Sequence, residues 1–333
     1  MARSQNNPTI SQAIAGYLSV IERARSQNTL KTYQNALHFF AHVLAEHELP
    51  PEETDIAELT EDAVKWLLSA CTDFAPATER LYLTAALGFY KYLAAEALLE
   101  INLPLLQELV RNRTRHAGRR LPQFPRDNIE KLVNYSKNLI YSPVESERER
   151  LIHLRDRAFL ITLADTGLRV HEACALRRGD VDWQEGRAVI IGKGDQEAVV
   201  RFSRRALGAL KDYVSARAGL DGASGRPLTS LPLFARHDDR AGNKVLPIST
   251  TTGRNIVKQR VREALGEQAV GSITPHSFRH YFVTMVLRGS GGNLKLAQEL
   301  ARHQDTSTTQ LYAHLSNDEL DRGYFEIFDQ GDA

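Results

Sequence analysis

Residues 166–172 read TGLRVHE, and this stretch decides the fold. A helical pattern of apolar residues precedes it, the Thr-Gly pair is typical of a turn, and a second helix follows. Arg169 and Glu172 are three residues apart, which places them on the same face of that second helix. Taken alone, such a pair is most often an exposed ion pair that contributes about 0.5 kcal/mol or less. Its meaning depends on what the rest of the chain brings beside it.

A second stretch of similar character lies downstream. Residues 276–280 read HSFRH and follow a Thr-Pro pair, which suits the N-cap and the first turn of a helix. His276 and Arg279 are three residues apart and therefore project together. His280 lies one turn beyond His276, and it either shares the site or only supports the helix.

The third stretch contains a tyrosine. Arg302 and His303 follow an apolar helical pattern, and Tyr312 comes nine residues later within TTQLYAH, residues 308–314. A helical tyrosine among leucines is most often a core residue. The position of Tyr312 after His303 favours a reactive role instead. The rival candidates for a reactive phenol lack this setting: Tyr213, Tyr281 and Tyr324.

Together these side chains suit chemistry on a phosphate ester. Two guanidinium groups hold the non-bridging oxygens of a phosphoryl transition state better than lysines do, and such a clamp replaces a metal ion as the electrostatic catalyst. Imidazoles move protons near neutral pH. A tyrosine oxygen becomes a nucleophile where neighbouring cations favour phenolate. The pattern therefore predicts phosphoryl transfer without a metal or a cofactor.

The three stretches resemble the signature boxes of the tyrosine recombinase (phage integrase) family, and they occur in that order along the chain. A Gly-Lys-Gly sequence at residues 192–194 resembles the lysine-bearing β-hairpin of the family. The helical first part resembles its core-binding domain. The resemblance covers about residues 9–326, and four features in order are far more specific than one.

The resemblance assigns a role to each matching position. Arg169 and Arg279 would grip the scissile phosphate, and His303 would hydrogen-bond to it. His276 would accept or relay the proton of the nucleophile. Tyr312 would attack the phosphorus and form a 3′-phosphotyrosine intermediate, and two rounds of exchange would pass through a Holliday junction.

Other positions would assist. Lys193, on a hairpin that reaches into the minor groove, would protonate the departing 5′ oxygen, although a turn lysine without function has the same local sequence. Glu172 would brace the pocket by holding Arg169 or a histidine, and His280 would support it. The chain departs from the family pattern at residues 301–303, which read Ala-Arg-His where Leu-Gly-His is common. This departure bears on the placement of His303.

Charge is distributed unevenly along the chain. Residues 1–110 contain 7 Lys and Arg against 14 Asp and Glu, whereas residues 111–333 contain 35 against 27. The second part is therefore expected to face a polyanion. Residues 111–126 contain six arginines and no acid, which predicts either a plain tether or a strap that contacts phosphates. The residues predicted to contact DNA are Lys31, Arg111, Arg113, Arg115, Arg119 and Arg120.

The periodicity predicts a mainly α-helical protein with a small β-sheet. Four helices are expected in an N-terminal core-binding (SAM-like) domain at residues 9–108, followed by a basic linker at 109–125. An α+β catalytic domain is expected at 126–330, with a hairpin at about 188–202. By resemblance, the two domains would form a C-shaped clamp around DNA.

The predicted partner is double-stranded DNA bearing recombination core sites, bound by a homotetramer. An apolar face on residues 317–328 would dock either on its own domain or on a neighbouring subunit. Two distant cysteines, Cys71 and Cys174, fit a reducing cytoplasm beside the nucleoid.

Two alternatives to a recombinase remain: a non-catalytic DNA-binding protein of the same fold and a type IB topoisomerase. A metal-dependent hydrolase is disfavoured, although His276 and His280 have metal-ligand spacing, because Arg279 would repel a cation.

Overall fold

The structure, a computed structural model, describes residues 7–113, 126–191 and 197–302. The chain divides into two compact units, residues 1–120 and 121–333. Among the described helices, none combines the length and the apolar character that crossing a membrane requires. Each unit has its own apolar core, so each is described by itself.

The first unit is helical, as predicted. Thr9 and Ser26 cap the first two helices through their side-chain oxygens, and the apolar stripes of both helices face the core. A fifth helix, which the periodicity did not indicate, follows the four predicted ones and buries Leu106. Its last residues belong to the stretch predicted as a linker. The helices are α1 (Ile10–Ala24), α2 (Gln27–Glu46), α3 (Asp62–Ala70), α4 (Pro76–Ala95) and α5 (Leu103–Arg113).

The second unit combines eight described helices with one small sheet, as predicted. The segment at residues 220–247 is rich in glycine, proline and aspartate, which predicts a loop. In the structure it contains the end of one short helix and a single 3₁₀ turn. The helices are α6 (Arg126–Asn138), α7 (Glu147–Thr166), α8 (Val170–Ala175), α9 (Arg204–Ala216), α10 (Ala218–Ala223), α11 (Thr250–Leu265), α12 (Pro275–Gly289) and α13 (Leu294–Ala301).

The sheet has three antiparallel strands in the order β1 (Val181–Asp182), β2 (Arg187–Ile191) and β3 (Glu197–Arg201). The β2–β3 ladder confirms the predicted hairpin, with Val189 opposite Val199. Alternate residues of β2 face the core, because side chains along a strand point to opposite sides. The turn that contains Lys193 lies outside the described residues.

The central helix α7 is buried over most of its length and packs against α6, α9 and α12. It ends at Gly167, whose backbone is left-handed with φ +59°. A Cβ at this position would lie 2.4 Å from Cδ1 of Phe282 on α12, so only glycine lets the two helices approach this closely. The turn at Gly167 therefore sets Arg169 beside α12.

Candidate active site

Arg169 and Glu172 contact each other at the start of α8. Arg169 is the N-cap residue, and its backbone N–H donates to Oε2 of Glu172 at 2.8 Å while its Nη1 donates to Oε1 at 2.8 Å. The Arg169 side chain is 37% exposed and that of Glu172 only 3%. Burial alone would raise the pKa of Glu172, but the hydrogen bonds from Arg169 and the charge of nearby Arg302 outweigh it and lower the pKa. The carboxylate is thus ionised and holds Arg169 in place.

Arg279 is almost fully buried, at 3% exposure, and has no carboxylate partner of its own among the described residues. Its Nη1 donates to the carbonyl of Gly167 at 2.7 Å, and its Nη2 donates to the carbonyl of Ala301. Burial, followed by the charges of Arg169 and Arg302, lowers its pKa to about 9.

His276 lies at the first turn of α12, whose N-cap residue is Thr274, as predicted; the backbone N–H of Thr274 donates to the hydroxyl of Ser277 at 3.1 Å. Its ring is edge-on to that of His280, with centroids 4.3 Å apart. Burial lowers the pKa of His276, helped by the charges of Arg279 and Arg169. Burial, followed by the charges of His276 and Arg279, lowers the pKa of His280 to about 4. Both rings are therefore neutral at neutral pH.

Arg169, His276 and Arg279 line one cleft of about 680 Å³. They come from the α7–α8 turn and from α12, more than 100 residues apart in the chain. The cleft therefore brings together the arginine clamp and the imidazole that the sequence predicted.

The lining of this cleft also contains residues that the sequence did not indicate. Arg254, Asn255 and Lys258 line it from α11. Arg254 and Lys258 are four residues apart and so share a face of the helix. On sequence alone they are indistinguishable from the solvated face of any amphipathic helix. Arg302 is a further missed residue, because its side chain contacts Glu172.

Several predicted site residues lie elsewhere. Lys31 is exposed on α2, away from any described ion pair. Arg111 is exposed within α5, 3.9 Å from Glu108, and so lies in a helix where an extended strap was predicted. Arg113 ends that helix. The remaining predicted residues lie outside the described part of the chain: Arg115, Arg119, Arg120, Lys193, His303, Tyr312 and the segment 317–328.

Within residues 7–113, 126–191 and 197–302, no three His, Cys, Asp or Glu side chains gather as a metal site.

Two family profiles match the sequence. The one described as phage integrase family matches residues 123–319, and the one described as phage integrase, N-terminal SAM-like domain, matches residues 15–97. Tyrosine recombinase XerC of Pelobacter propionicus is 32% identical over 93% of this chain and 90% of that protein. Tyrosine recombinase XerD of Listeria monocytogenes is 28% identical over 89% of this chain and 91% of that protein.

Solved structures share the fold. XerH site-specific recombinase bound to difH substrate in a pre-cleavage complex has a TM-score of 0.67 at 17% identity, over 96% of this chain and 97% of that one. A lambda integrase dimer bound to a COC′ core site has a TM-score of 0.61 at 18% identity, over 92% of this chain and 95% of that one. The chain therefore belongs to the phage integrase family, which confirms the predicted resemblance and fold class. Its activity is that of a tyrosine-type site-specific recombinase.

Proposed function

We propose that this protein cuts and rejoins double-stranded DNA at specific sites through a 3′-phosphotyrosine on Tyr312. Arg169 and Arg279 bind the two non-bridging oxygens of the scissile phosphate. His276 takes the proton of the phenol, Lys193 protonates the departing 5′ oxygen, and His303 donates a hydrogen bond to the phosphate. The covalent link conserves the energy of the phosphodiester, so that a second strand is joined without ATP. Two such exchanges pass through a Holliday junction.

The observation that carries this proposal is the convergence of Arg169, Arg279 and His276 on one cleft. Arg279 spends two of its five N–H donors on backbone carbonyls, which fixes the guanidinium while leaving donors for an anion. Arg169 is fixed in a similar way by Glu172. Two guanidiniums held before the substrate arrives stabilise developing negative charge at little reorganisation cost.

The cations of α11 support duplex DNA as the substrate. Arg254 and Lys258 border the same cleft as the clamp. A row of cations beside a phosphate clamp suits a polyanionic backbone that continues past the reacting phosphate. The basic excess of residues 111–333 agrees with this arrangement.

Among the described tyrosines, the rival nucleophiles are buried. Tyr213 is fully buried, and burial, more than any opposing charge, raises the pKa of its phenol. Tyr281 is 6% exposed, and burial raises its pKa also. A phenol in such a setting neither reaches a DNA backbone nor forms phenolate readily. This supports Tyr312 as the nucleophile.

A suicide substrate tests the proposal. A nicked duplex that carries a core site releases a short fragment after attack, so that the covalent adduct accumulates and is counted on a denaturing gel. We expect an adduct with the wild-type chain in the presence of a chelator, and none with Tyr312→Phe. Tyr324→Phe, the matched control, should keep the adduct.

Three outcomes would overturn this assignment. Specific DNA binding without an adduct would indicate a non-catalytic binding protein. An adduct that survives in Tyr312→Phe would place the nucleophile elsewhere. Relaxation of supercoiled DNA lacking core sites, at the same rate as DNA bearing them, would indicate a topoisomerase instead of a recombinase.

We also propose that four chains act together on two DNA sites, with residues 317–328 docked on a neighbouring subunit. A chain that stops after residue 316 should still bind one site but should fail to hold two sites in one complex. Native gels with two labelled sites measure this directly. Two-site complexes formed equally well by the shortened chain would favour packing of this segment on its own domain.

A further inference from the structure

Arg302, the C-cap residue of α13, has φ +57° and ψ 46°, in the left-handed region that glycine favours. The other described non-glycine residues with positive φ are Glu48 and Ala97, and both are exposed. Arg302 differs from them because its side chain is only 10% exposed. The contacts of this long, charged and buried side chain should therefore explain why the strained backbone is kept.

The Arg302 guanidinium contacts the supports of the clamp. Its Nη2 lies 3.4 Å from the carbonyl oxygen of Gly167 and 3.5 Å from Oε2 of Glu172. Its Nη1 donates to the carbonyl of Leu300 at 3.3 Å. These contacts connect the end of α13 to the α7–α8 turn across more than 130 residues of sequence.

Two of these acceptors also hold the clamp arginines. The Gly167 carbonyl accepts from Arg279, and the Glu172 carboxylate accepts from Arg169. The carbonyl of Ala301, the residue before Arg302, accepts from Arg279 as well. Arg302 therefore joins the anchor of one clamp arginine to the anchor of the other. A glycine at this position would relax the backbone but could not make the connection.

Arg302 itself does not line the cleft, whereas Arg169 and Arg279 do. Its Nε is buried and has no hydrogen-bond partner within the described part of the chain. The side chain is thus directed at the supports of the clamp and not at the space that a phosphate would occupy.

We propose that Arg302 is a positioning residue whose guanidinium ties the anchors of Arg169 and Arg279 together and so fixes the spacing of the phosphate clamp. This inference rests on the proposed function, because the clamp is assigned there. It also accounts for the strained backbone: the chain keeps an arginine where glycine is easier, since only a forked cation reaches both anchors.

The test compares Arg302→Gly and Arg302→Lys with a matched control, Glu48→Gly. The control relieves a left-handed backbone at an exposed position far from the clamp anchors in sequence. For Arg302→Gly we expect the rate of adduct formation at saturating suicide substrate to fall about 10- to 100-fold, because misplacement of a catalytic group by about 1 Å costs up to that factor. The DNA concentration for half-saturation should change by less than about twofold. Arg302→Lys should restore a minor part of the rate, and Glu48→Gly should match the wild type.

A double-mutant cycle with Glu172→Gln checks that both residues act on the same anchors. If they do, the double variant loses little more than the worse single variant, because coupled residues are not additive. A wild-type rate in Arg302→Gly, or a loss confined to DNA affinity, would overturn the inference.

Side-chain NMR of the arginine Nε–H groups needs no DNA and no nucleophile. Signals of Arg169 and Arg279 should shift and broaden in Arg302→Gly and stay unchanged in Glu48→Gly. Unchanged signals in Arg302→Gly would refute the tie. A wild-type chain that forms no adduct would refute the proposed function, and the NMR comparison would then decide the role of Arg302 by itself.

Discussion

His276 shares its cleft with the guanidinium groups of Arg169 and Arg279. Burial, followed by the charges of Arg279 and Arg169, lowers the pKa of its imidazole below the ordinary 6.5. The ring is neutral at neutral pH and ready to accept a proton. We therefore expect the acid limb of kcat/KM for adduct formation to have its midpoint below pH 6.5, because a depressed pKa keeps the base neutral into more acidic solution.

His276→Gln checks the origin of this acid limb. Glutamine keeps a polar side chain but does not titrate, so the rate should fall about 100-fold or more and its acid limb should disappear. His171→Gln, an exposed position on α8, should leave both the rate and the profile unchanged. An acid limb of the wild type with its midpoint at or above pH 6.5, or an acid limb that survives in His276→Gln, would show that another group titrates.

The residues of the site were predictable to different degrees. Arg169 and Arg279 were predictable because each has a second polar side chain three residues away on the same helical face. Glu172 follows Arg169, and His276 precedes Arg279. Arg302 was not predictable, because the sequence shows a missing glycine but not the left-handed backbone or the contact with Glu172. The position of a side chain across 130 residues depends on tertiary packing, which local patterns do not contain.

At the scale of elements, Gly253 sets how closely α11 approaches α7 and α8. A Cβ at Gly253 would lie 2.9 Å from Sγ of Cys174 and 3.0 Å from Cζ of Phe159. Gly208 on α9 is also helical, but nothing lies within 4 Å of the position its Cβ would take. A glycine-to-alanine change improves helix propensity equally at both sites. The difference in unfolding free energy between the two alanine variants therefore measures the effect of packing alone.

We expect Gly208→Ala to raise the free energy of unfolding by about 0.5–1 kcal/mol, and Gly253→Ala to lower it by about 1–3 kcal/mol through overpacking. Denaturant titrations of the two variants measure both values. Gly253→Ala should also weaken DNA binding, since it displaces the helix that carries Arg254 and Lys258. Equal gains in stability at both positions would show that α11 adjusts without cost.

Elements with strong periodicity were predicted well, and those without it were not. The apolar pattern of residues 294–301 predicts a helix over those residues, and α13 has the same bounds in the structure. The apolar pattern over residues 153–165 predicts a helix there. Helix α7 begins six residues earlier, at Glu147, because Ser146 caps a charged first turn that carries no apolar stripe. Helix α5 was missed because its apolar residues fall beside a basic stretch that resembles a linker. Capping and burial extend helices beyond what the apolar period alone indicates.

At the scale of the whole molecule, the second unit depends on buried polar groups as well as on its apolar core. Arg217 and Asp221 form a fully buried ion pair, with Nε 2.8 Å from Oδ1. The hydroxyl of Tyr213 accepts from Arg217 at 3.0 Å and from the backbone N–H of Ala235 at 3.1 Å. Its own proton is therefore free to be donated to Nε2 of His237, 2.9 Å away. This arrangement requires the neutral form of His237.

Acid should therefore destabilise the fold through His237. Burial, followed by the charges of Arg155 and Arg217, lowers its pKa from 6.5 to about 3, so between these values the unfolded chain binds a proton that the folded chain does not. Stability is then lost as the pH falls through this window, by about 2 kcal/mol between pH 7 and pH 5. Denaturant titrations at several pH values should show this slope, and His237→Gln, which accepts the same hydrogen bond without titrating, should remove that part of it. A slope unchanged by His237→Gln would mean that other groups carry the acid sensitivity.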